Sequence, residues 1–339
     1  APIRQFLVAN WIEAGTVSLP SGTQTLRIET TENDGAACFD CFLLIQGPFD
    51  ARGKLKPDQK TNRAEPGWFA FEPGIDPFLN SPIDLRKLNE KVAGERGWIS
   101  RSGEQFVQGT KSTPVRFWAV NAGPGVIRNS KTSVRYLARK LAKMGVNMVR
   151  LHGSVWRQDD PAQVDTAYLD KMHFFVDAMR REGIYSTLSI YFPLWIRPTA
   201  DSPIKGYSGD KNPFASLFFD PAFQGIFRGW WNVILTKTNP YSGVPMAKDP
   251  SVAVLELTNE DSYFFWTFTP YENVPAAQME ILEKQFGAWL AKKYGTLENA
   301  FAAWSPDKVR GDDLANGRAG FVPLWSMFNN PGQRQKDTA

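Results

Sequence analysis

The sequence predicts an α/β fold built on a parallel sheet of the (β/α)8 TIM-barrel type, and three observations carry that prediction. Four short runs of β-branched and aliphatic residues alternate with stretches whose apolar residues recur at helical spacing. Two of the helical stretches stop at a glycine and the next strand run opens at once, the pattern of right-handed βαβ crossovers. The run at 251–261, SVAVLELTNED, ends abruptly in a polar pair, Asn259 and Glu260. In a barrel of this type, reactive groups sit where strands end and βα loops begin, so a Glu at that edge is placed to react.

Taken in order, residues 1–50 read as strands with turns, TVSLPSGTQTLRIET followed by AACFDCFLLIQGPF, with Pro20-Ser21-Gly22 supplying a turn. At about 50 residues this is a partial β-sandwich, against roughly 100 for a complete one. Residues 51–97, rich in Pro, Gly and charge, read as a linker wrapping onto the barrel region at 98–339. FWAVN, ending at Asn121, is the first barrel strand. Ser130 then caps a helix with Val134, Leu137, Ala138, Leu141 and Ala142 on one face, ending at Gly145. VNMVRL follows as the second strand and leads to His152. The next helix carries Tyr168, Leu169, Met172, Phe175, Val176 and Met179, stops at Gly183, and gives way to the third strand, IYSTLSIY. Phe223, Ile226, Phe227, Trp230 and Ile234 mark a third helix, and Val252 to Thr258 is the fourth strand. A long helix from about Pro275 to Tyr294 and a shorter one after Thr296 complete the regular elements, and the tail contains no convincing strand.

Three of these segments carry a resemblance: RFWAVN at the first barrel strand, GVNMVRLH at the second and LELTNE at the fourth. In this order and spacing the chain resembles, from about Trp98 to its C-terminus, the clan A glycoside hydrolases. These retaining (β/α)8 enzymes include family 5 cellulases and mannanases and family 42 β-galactosidases. The resemblance implies a retaining β-glycosidase of endo-glycanase type, with Glu260 as general acid/base, Asn259 bonding the sugar 2-hydroxyl and Arg150 supporting the nucleophile. It departs from family 5 after the third strand, where YFPLW stands in place of a frequent His. In the clan the nucleophile ends the seventh strand, whereas four strands are read before residue 339. The chain therefore reads as about the first half of a barrel, with its nucleophile expected beyond Ala339 and its apolar strand faces open to association. Asp159, Asp160 and Asp201 lie where the clan has no nucleophile and read as loop or capping residues. The N-terminal segment resembles the last strands of a carbohydrate-binding module. The alternative reading is a barrel fragment that binds carbohydrate without hydrolysing it.

The chemistry sets its own requirements. Retaining hydrolysis uses a protonated carboxylic acid and an attacking carboxylate about 5 Å apart. Glu260 would need partial burial, in an aromatic-walled cleft, to hold its proton near neutral pH. Strand alternation puts Glu256, Thr258 and Glu260 on one face, so Glu256 is expected inside the barrel, paired with Arg150. Trp156 and Trp195, after the second and third strands, are the candidate platforms for stacking on pyranose rings, or else loop anchors. Trp118 and Asn121 on the first strand are expected to reach the site, and His152 to bond a sugar hydroxyl or sit as a satisfied rim residue. Trp230 and Trp231 read as helix packing, and His173 as a helix residue outside the chemistry.

Composition narrows the classes further. The 339 residues are 42% hydrophobic, ample for a packed core, and the net charge of +4 is spread along the chain, which argues against a nucleic-acid partner. No apolar run approaches the roughly 20 residues of a membrane span. Cys38 and Cys41 are three apart on an expected strand and read as two buried thiols. No P-loop, dinucleotide fingerprint or metal-ligand cluster occurs, so no cofactor is expected. The first residues show no charged leader, apolar h-region or cleavage site, so they are not expected to be a signal peptide. The expected partner is a β-linked poly- or oligosaccharide, with cellulose, mannan, xylan and galactosides all open, and the expected location is extracellular or periplasmic.

Overall fold

The computed structural model describes residues 11–29, 39–47, 49, 55–57, 66–69, 76–305, 307–329 and 332–339. The chain divides into two compact units, Ala1–Leu79 and Asn80–Ala339.

The described residues of the first unit form no helix or strand, so the strands read over 16–30 and 36–49 are not formed among them; residues 30–38 and 48 lie outside the described set. The apolar residues of these runs stay exposed, Leu26 at 74% and Leu44 at 69% among them. The physical reason is that an alternating pattern makes a sheet only when its apolar face has something to cover it. The local order present is aromatic: Trp11 donates from Nε1 to the Leu55 carbonyl at 2.8 Å and packs edge-on against Phe49. Cys41 is a free, half-buried thiol, and Cys38 lies outside the described residues.

The second unit begins with a strap. Leu85 N–H donates to the Lys143 carbonyl at 3.0 Å, Asn89 Nδ2 to the Val146 carbonyl at 2.8 Å and Ala93 N–H to the Arg180 carbonyl at 2.8 Å. Gly183 allows the closest of these approaches: its φ is +73°, and a Cβ there would stand 2.0 Å from the Glu90 carbonyl oxygen. A hairpin follows, β1 (Ile99–Ser102) pairing antiparallel with β2 (Gln105–Gln108), which pairs with β3 (Thr113–Pro114).

The main sheet is four parallel strands in sequential order, β4 (Ala119–Ala122), β5 (Met148–His152), β6 (Tyr185–Ser189) and β7 (Val252–Glu256). Helices α1 (Lys131–Lys143), α2 (Thr166–Arg180) and α4 (Pro221–Thr236) cover one face, with the short α3 (Ser216–Phe219) leading into α4. Ser130 caps α1 by accepting from Ser133 N–H, and Asp165 caps α2 by accepting from Ala167 and Tyr168 N–H. Val149, Leu151 and Leu188 point from the strands into the main core, meeting Ala138, Met172, Phe175, Trp230 and Ile234 from the helices. A second core gathers Met279, Leu282, Phe286 and Leu290 of α5 (Ala276–Tyr294) with Leu297 and Trp304 of α6 (Leu297–Trp304) and Phe321 of the tail. The tail is tied down by the buried Arg334 guanidinium, which donates to both oxygens of Asp312 at 2.8 and 2.6 Å. Two short helices, α7 (Leu324–Asn329) and α8 (Gln333–Thr338), end the chain, and no strand follows β7 among the described residues. No helix of the described residues is long and apolar enough to cross a membrane.

Candidate functional site

Register decides which side chains meet. Asn121 aligns with Arg150 across β4 and β5, and Arg150 aligns with Thr187 of β6. One pleat further along, His152 aligns with Ser189, and Ser189 with Glu256 of β7. Successive side chains alternate between faces, so these residues share the face opposite Val149, Leu151 and Leu188, at the C-terminal ends of the strands. The alternation that sends aliphatic residues to the helices thus sends a polar row to the barrel side.

Arg150 is the hub of that row. Its Nε and Nη2 donate to the two carboxylate oxygens of Glu256 at 2.6 and 2.5 Å, a bidentate pair. Its Nη1 donates to Asn121 Oδ1 at 2.9 Å, and Nη2 also reaches Ser189 Oγ at 3.1 Å and Asn259 Oδ1 at 3.0 Å. Ser189 Oγ in turn donates to Glu256 Oε1 at 3.0 Å. The Arg150 guanidinium holds the Glu256 carboxyl below the usual carboxylate range, against the opposing effect of burial and with help from the Ser189 hydroxyl. The expected pairing of Glu256 with Arg150 inside the barrel is present, and it extends to groups from all four strands or their loops.

His152 closes the row. Its Nδ1 lies 2.9 Å from Ser189 Oγ, and its ring packs 4.4 Å, centroid to centroid, from the half-buried Trp195. Burial, and after it the Arg150 charge, lower its pKa from the ordinary value. Trp195 stands edge-on to Phe192 at 5.5 Å and presents a partly open indole beside His152.

The loop after β7 differs from its prediction. The strand ends at Glu256 rather than Thr258, so alternation does not carry Glu260 onto the face of Glu256. Glu260 instead takes a left-handed backbone conformation, φ +49°, that non-glycine residues adopt only when held. The holding groups stand on either side. Asn259 N–H donates to the Tyr191 carbonyl at 3.1 Å, and Asp261, 7% exposed, accepts from Tyr191 Oη at 3.0 Å and from Ala215 N–H at 2.7 Å. Burial pushes the Asp261 carboxyl up to about 6, with Ala215 and Tyr191 opposing. Glu260 itself is exposed, not enclosed in the expected aromatic-walled cleft, and its side chain makes no hydrogen bond among the described residues. Lifting one side chain into the open between the half-buried Asn259 and the buried Asp261 gives a carboxyl a defined place without burying it.

No protein-family model matches the chain. Among curated proteins it is 25% identical over 191 residues to mannan endo-1,4-beta-mannosidase 5 of Arabidopsis thaliana, covering 51% of this chain and 43% of that protein. It is also 25% identical over 194 residues to mannan endo-1,4-beta-mannosidase 2 of the same plant, covering 50% and 42%. The chain is related to the clan A glycoside hydrolases. It spans less than half the length of the two curated relatives, 43% and 42%. Among solved structures, an endo-1,4-beta-mannanase from Rhizomucor miehei aligns with a TM-score of 0.38 and 15% identity over 67% of each chain. A beta-glucanase from Saccharophagus degradans aligns with a TM-score of 0.34 and 24% identity, over 61% of this chain and 52% of that one.

Against that relationship, the structure gathers Arg150, His152, Asn121 and Asn259 into one hydrogen-bonded constellation with Glu260 on the adjoining loop and Trp195 at its edge. Trp156 is not part of it. It is 3% exposed and stacked on Trp230 at 4.5 Å, so its ring is core packing and has no free face for a sugar. Trp118 precedes β4 at its N-terminal end, where its N–H donates to Asn147 Oδ1, and so lies on the wrong side of the sheet. Asp159 pairs with Arg157, and Asp160 accepts from Ala162 N–H in a local turn. His173 is buried in α2. The sequence reading passed over Ser189 and Asp261. The alternation of Thr187 and Ser189 against Leu188 and Ile190 was a usable signal for the first. For Asp261 there was none, because its partners Ala215 and Tyr191 are 46 and 70 residues away.

Proposed function

We propose that the C-terminal face of the four-stranded sheet is the substrate site of a retaining β-glycosidase of endo-glycanase type, with Glu260 as general acid/base. The observation that carries this reading is the Arg150 constellation, which draws Asn121, Ser189, Glu256 and Asn259 together at the end of the sheet where Glu260 projects. The names of the two curated relatives favour β-1,4-linked mannan over other β-glycans as the substrate. In this reading Arg150 occupies Asn259 Oδ1, which leaves the Nδ2 amide to donate to a sugar hydroxyl oxygen. Glu260 protonates the leaving glycosidic oxygen, and Trp195 offers the apolar face on which a pyranose ring stacks. Glu256 is committed to Arg150 and orients the row rather than attacking carbon. A polysaccharide substrate goes with an extracellular or periplasmic location.

A second reading, carbohydrate binding without turnover, is favoured by the carboxylates themselves. Of the two that act on His152, Glu256 is engaged by Arg150 and Ser189, leaving Glu260 where retaining hydrolysis calls for a pair. The test is hydrolysis of β-mannan, mannotetraose and activated aryl β-mannosides by the purified chain and its Glu260→Ala variant. The first reading expects the variant to lose about a hundredfold or more on mannotetraose and far less on the aryl mannosides, which leave without protonation. Equal loss on both sinks the acid/base role. Calorimetric binding of mannotetraose by a folded chain that releases no product selects the second reading.

A further inference from the structure

The Ser189 hydroxyl sits among three polar atoms, Arg150 Nη2 at 3.1 Å, Glu256 Oε1 at 3.0 Å and His152 Nδ1 at 2.9 Å. A serine hydroxyl has one proton to give and two lone pairs to fill. Arg150 donates only, its two Nη2 protons being shared among Glu256 Oε1, Asn259 Oδ1 and Ser189 Oγ, so it faces a lone pair and cannot take the Ser189 proton. Glu256 is a carboxylate in a bidentate ion pair and accepts only, so it takes the proton. The remaining lone pair faces His152, which must therefore supply the proton of the third contact. The opposite assignment, with Ser189 donating to His152, would leave Ser189 Oγ and Glu256 Oε1 as two acceptors 3.0 Å apart with no proton between them.

We propose that Ser189 is a positioning residue that fixes His152 with its proton on Nδ1, leaving Nε2 as a bare acceptor that takes a hydrogen bond from a ligand hydroxyl. The second nitrogen has no hydrogen-bond partner among the described residues, and the ring is only half-buried, so a ligand or water can reach it. The charged groups around the ring are Arg150 on its own strand, Glu256 on β7 and Glu260 on the following loop. β6 and its loop contribute Ser189, Phe192 and Trp195, which are uncharged. Burial and Arg150 together favour the neutral ring, so Nε2 accepts at neutral pH instead of donating. An acceptor at this point selects for a hydroxyl and against a group that only accepts, such as an ether oxygen or a sulfate. The assignment of a sugar as the source of that hydroxyl rests on the function proposed above; the proton assignment does not.

The two parts are separated by experiment. The full chain, labelled with 15N in its imidazoles, has only two histidines, so a His173→Gln variant assigns the spectrum. Long-range 1H–15N correlation at neutral pH is expected to show His152 protonated at Nδ1 and bare at Nε2; a proton on Nε2 overturns the proposal. Ser189→Ala is expected to release the ring toward the Nε2-protonated form, and Ser189→Thr, which restores the hydroxyl, to return it. If Ser189→Ala leaves the proton on Nδ1, Ser189 is not what fixes it and the proposal falls. Saturating mannotetraose is expected to shift the Nε2 resonance, and Ser189→Ala to weaken its binding by about threefold to tenfold, the worth of one hydrogen bond. An unmoved Nε2 resonance at saturation overturns the acceptor role. A chain that shows the Nδ1 proton but binds no mannotetraose supports the tautomer and overturns the mannan reading instead.

Discussion

Trp195 shows how much of a residue's role depends on what covers it. Its sequence neighbourhood resembles that of Trp156, an aromatic just past a barrel strand, yet Trp156 is sealed against Trp230 while Trp195 keeps part of its indole open beside His152. The difference lies in what packs on each ring: the fully buried Trp230 of α4 stacks on Trp156, while Trp195 meets His152 and Phe192 and stays half-buried. Trp195→Ala is therefore expected to weaken mannotetraose binding by about 1 kcal/mol or more while leaving the melting temperature nearly unchanged. Trp156→Ala is expected to do the reverse, removing a buried ring at a cost of about 3 kcal/mol or more in stability. Calorimetric titration and thermal melts of the two variants check both, and loss of binding in the Trp156 variant at intact stability would reverse the assignment.

At the level of elements, the informative piece is the loop after β7, which two buried contacts join to its neighbours. Asp261 reaches Tyr191 past the end of β6 and Ala215 before α3, and Ala215 shares with Glu260 a left-handed backbone, φ +56°. The sign of its pH dependence follows from its environment. Burial raises the folded carboxyl from 3.8 to about 6, so between about pH 4 and pH 6 the folded state holds a proton that the unfolded chain has released. Stability from this group is greatest at the acid end and falls as pH rises through that window, by up to about 3 kcal/mol. Asp261→Asn removes the titration. Its melting temperature relative to the native chain is expected to rise by on the order of 5 °C between about pH 4 and pH 7. A difference that is flat with pH would mean that Asp261 titrates as an ordinary surface carboxyl. The strands, helices and caps around this loop were legible beforehand: Ser130 caps α1, and Gly145 and Gly183 follow α1 and α2 with φ of +81° and +73°. The loop was not, because its conformation is set by contacts across 46 and 70 residues rather than by local pattern.

For the molecule as a whole, every residue of the candidate site and both large cores fall within Asn80–Ala339. The division between the units falls inside the stretch 51–97 read as a linker, and Leu85, Asn89 and Ala93 within that stretch bond to the ends of α1 and α2 and the turn between α1 and β5. A chain beginning at Asn80 is accordingly expected to bind mannotetraose with an unchanged Kd. A loss beyond tenfold would assign part of the binding surface to residues 1–79. The four-stranded sheet ends in β4 and β7, and the latter carries Leu255 at 40% and the following Leu257 at 58% exposure.

Sequence by itself determined the parallel α/β order, the helix starts and stops, the Arg150–Glu256 pairing and the placing of Asn259 and Glu260 past the fourth barrel strand. The elements rest on local signals, a period of two or 3.6, a cap, a glycine, which the chain carries within a few residues, and the Arg150–Glu256 pairing, across 106 residues, rests on both residues sharing one face of a sheet whose strand order those signals set. Tertiary structure alone decided that Trp156 is core and Trp195 open, that Ser189 ties His152 to Glu256, and that Asp261 anchors the loop on which Glu260 stands exposed. It also left the described residues of the N-terminal runs without strands. These outcomes depend on which surfaces meet across long stretches of chain, and burial, unlike periodicity, is a property of the partner as much as of the residue.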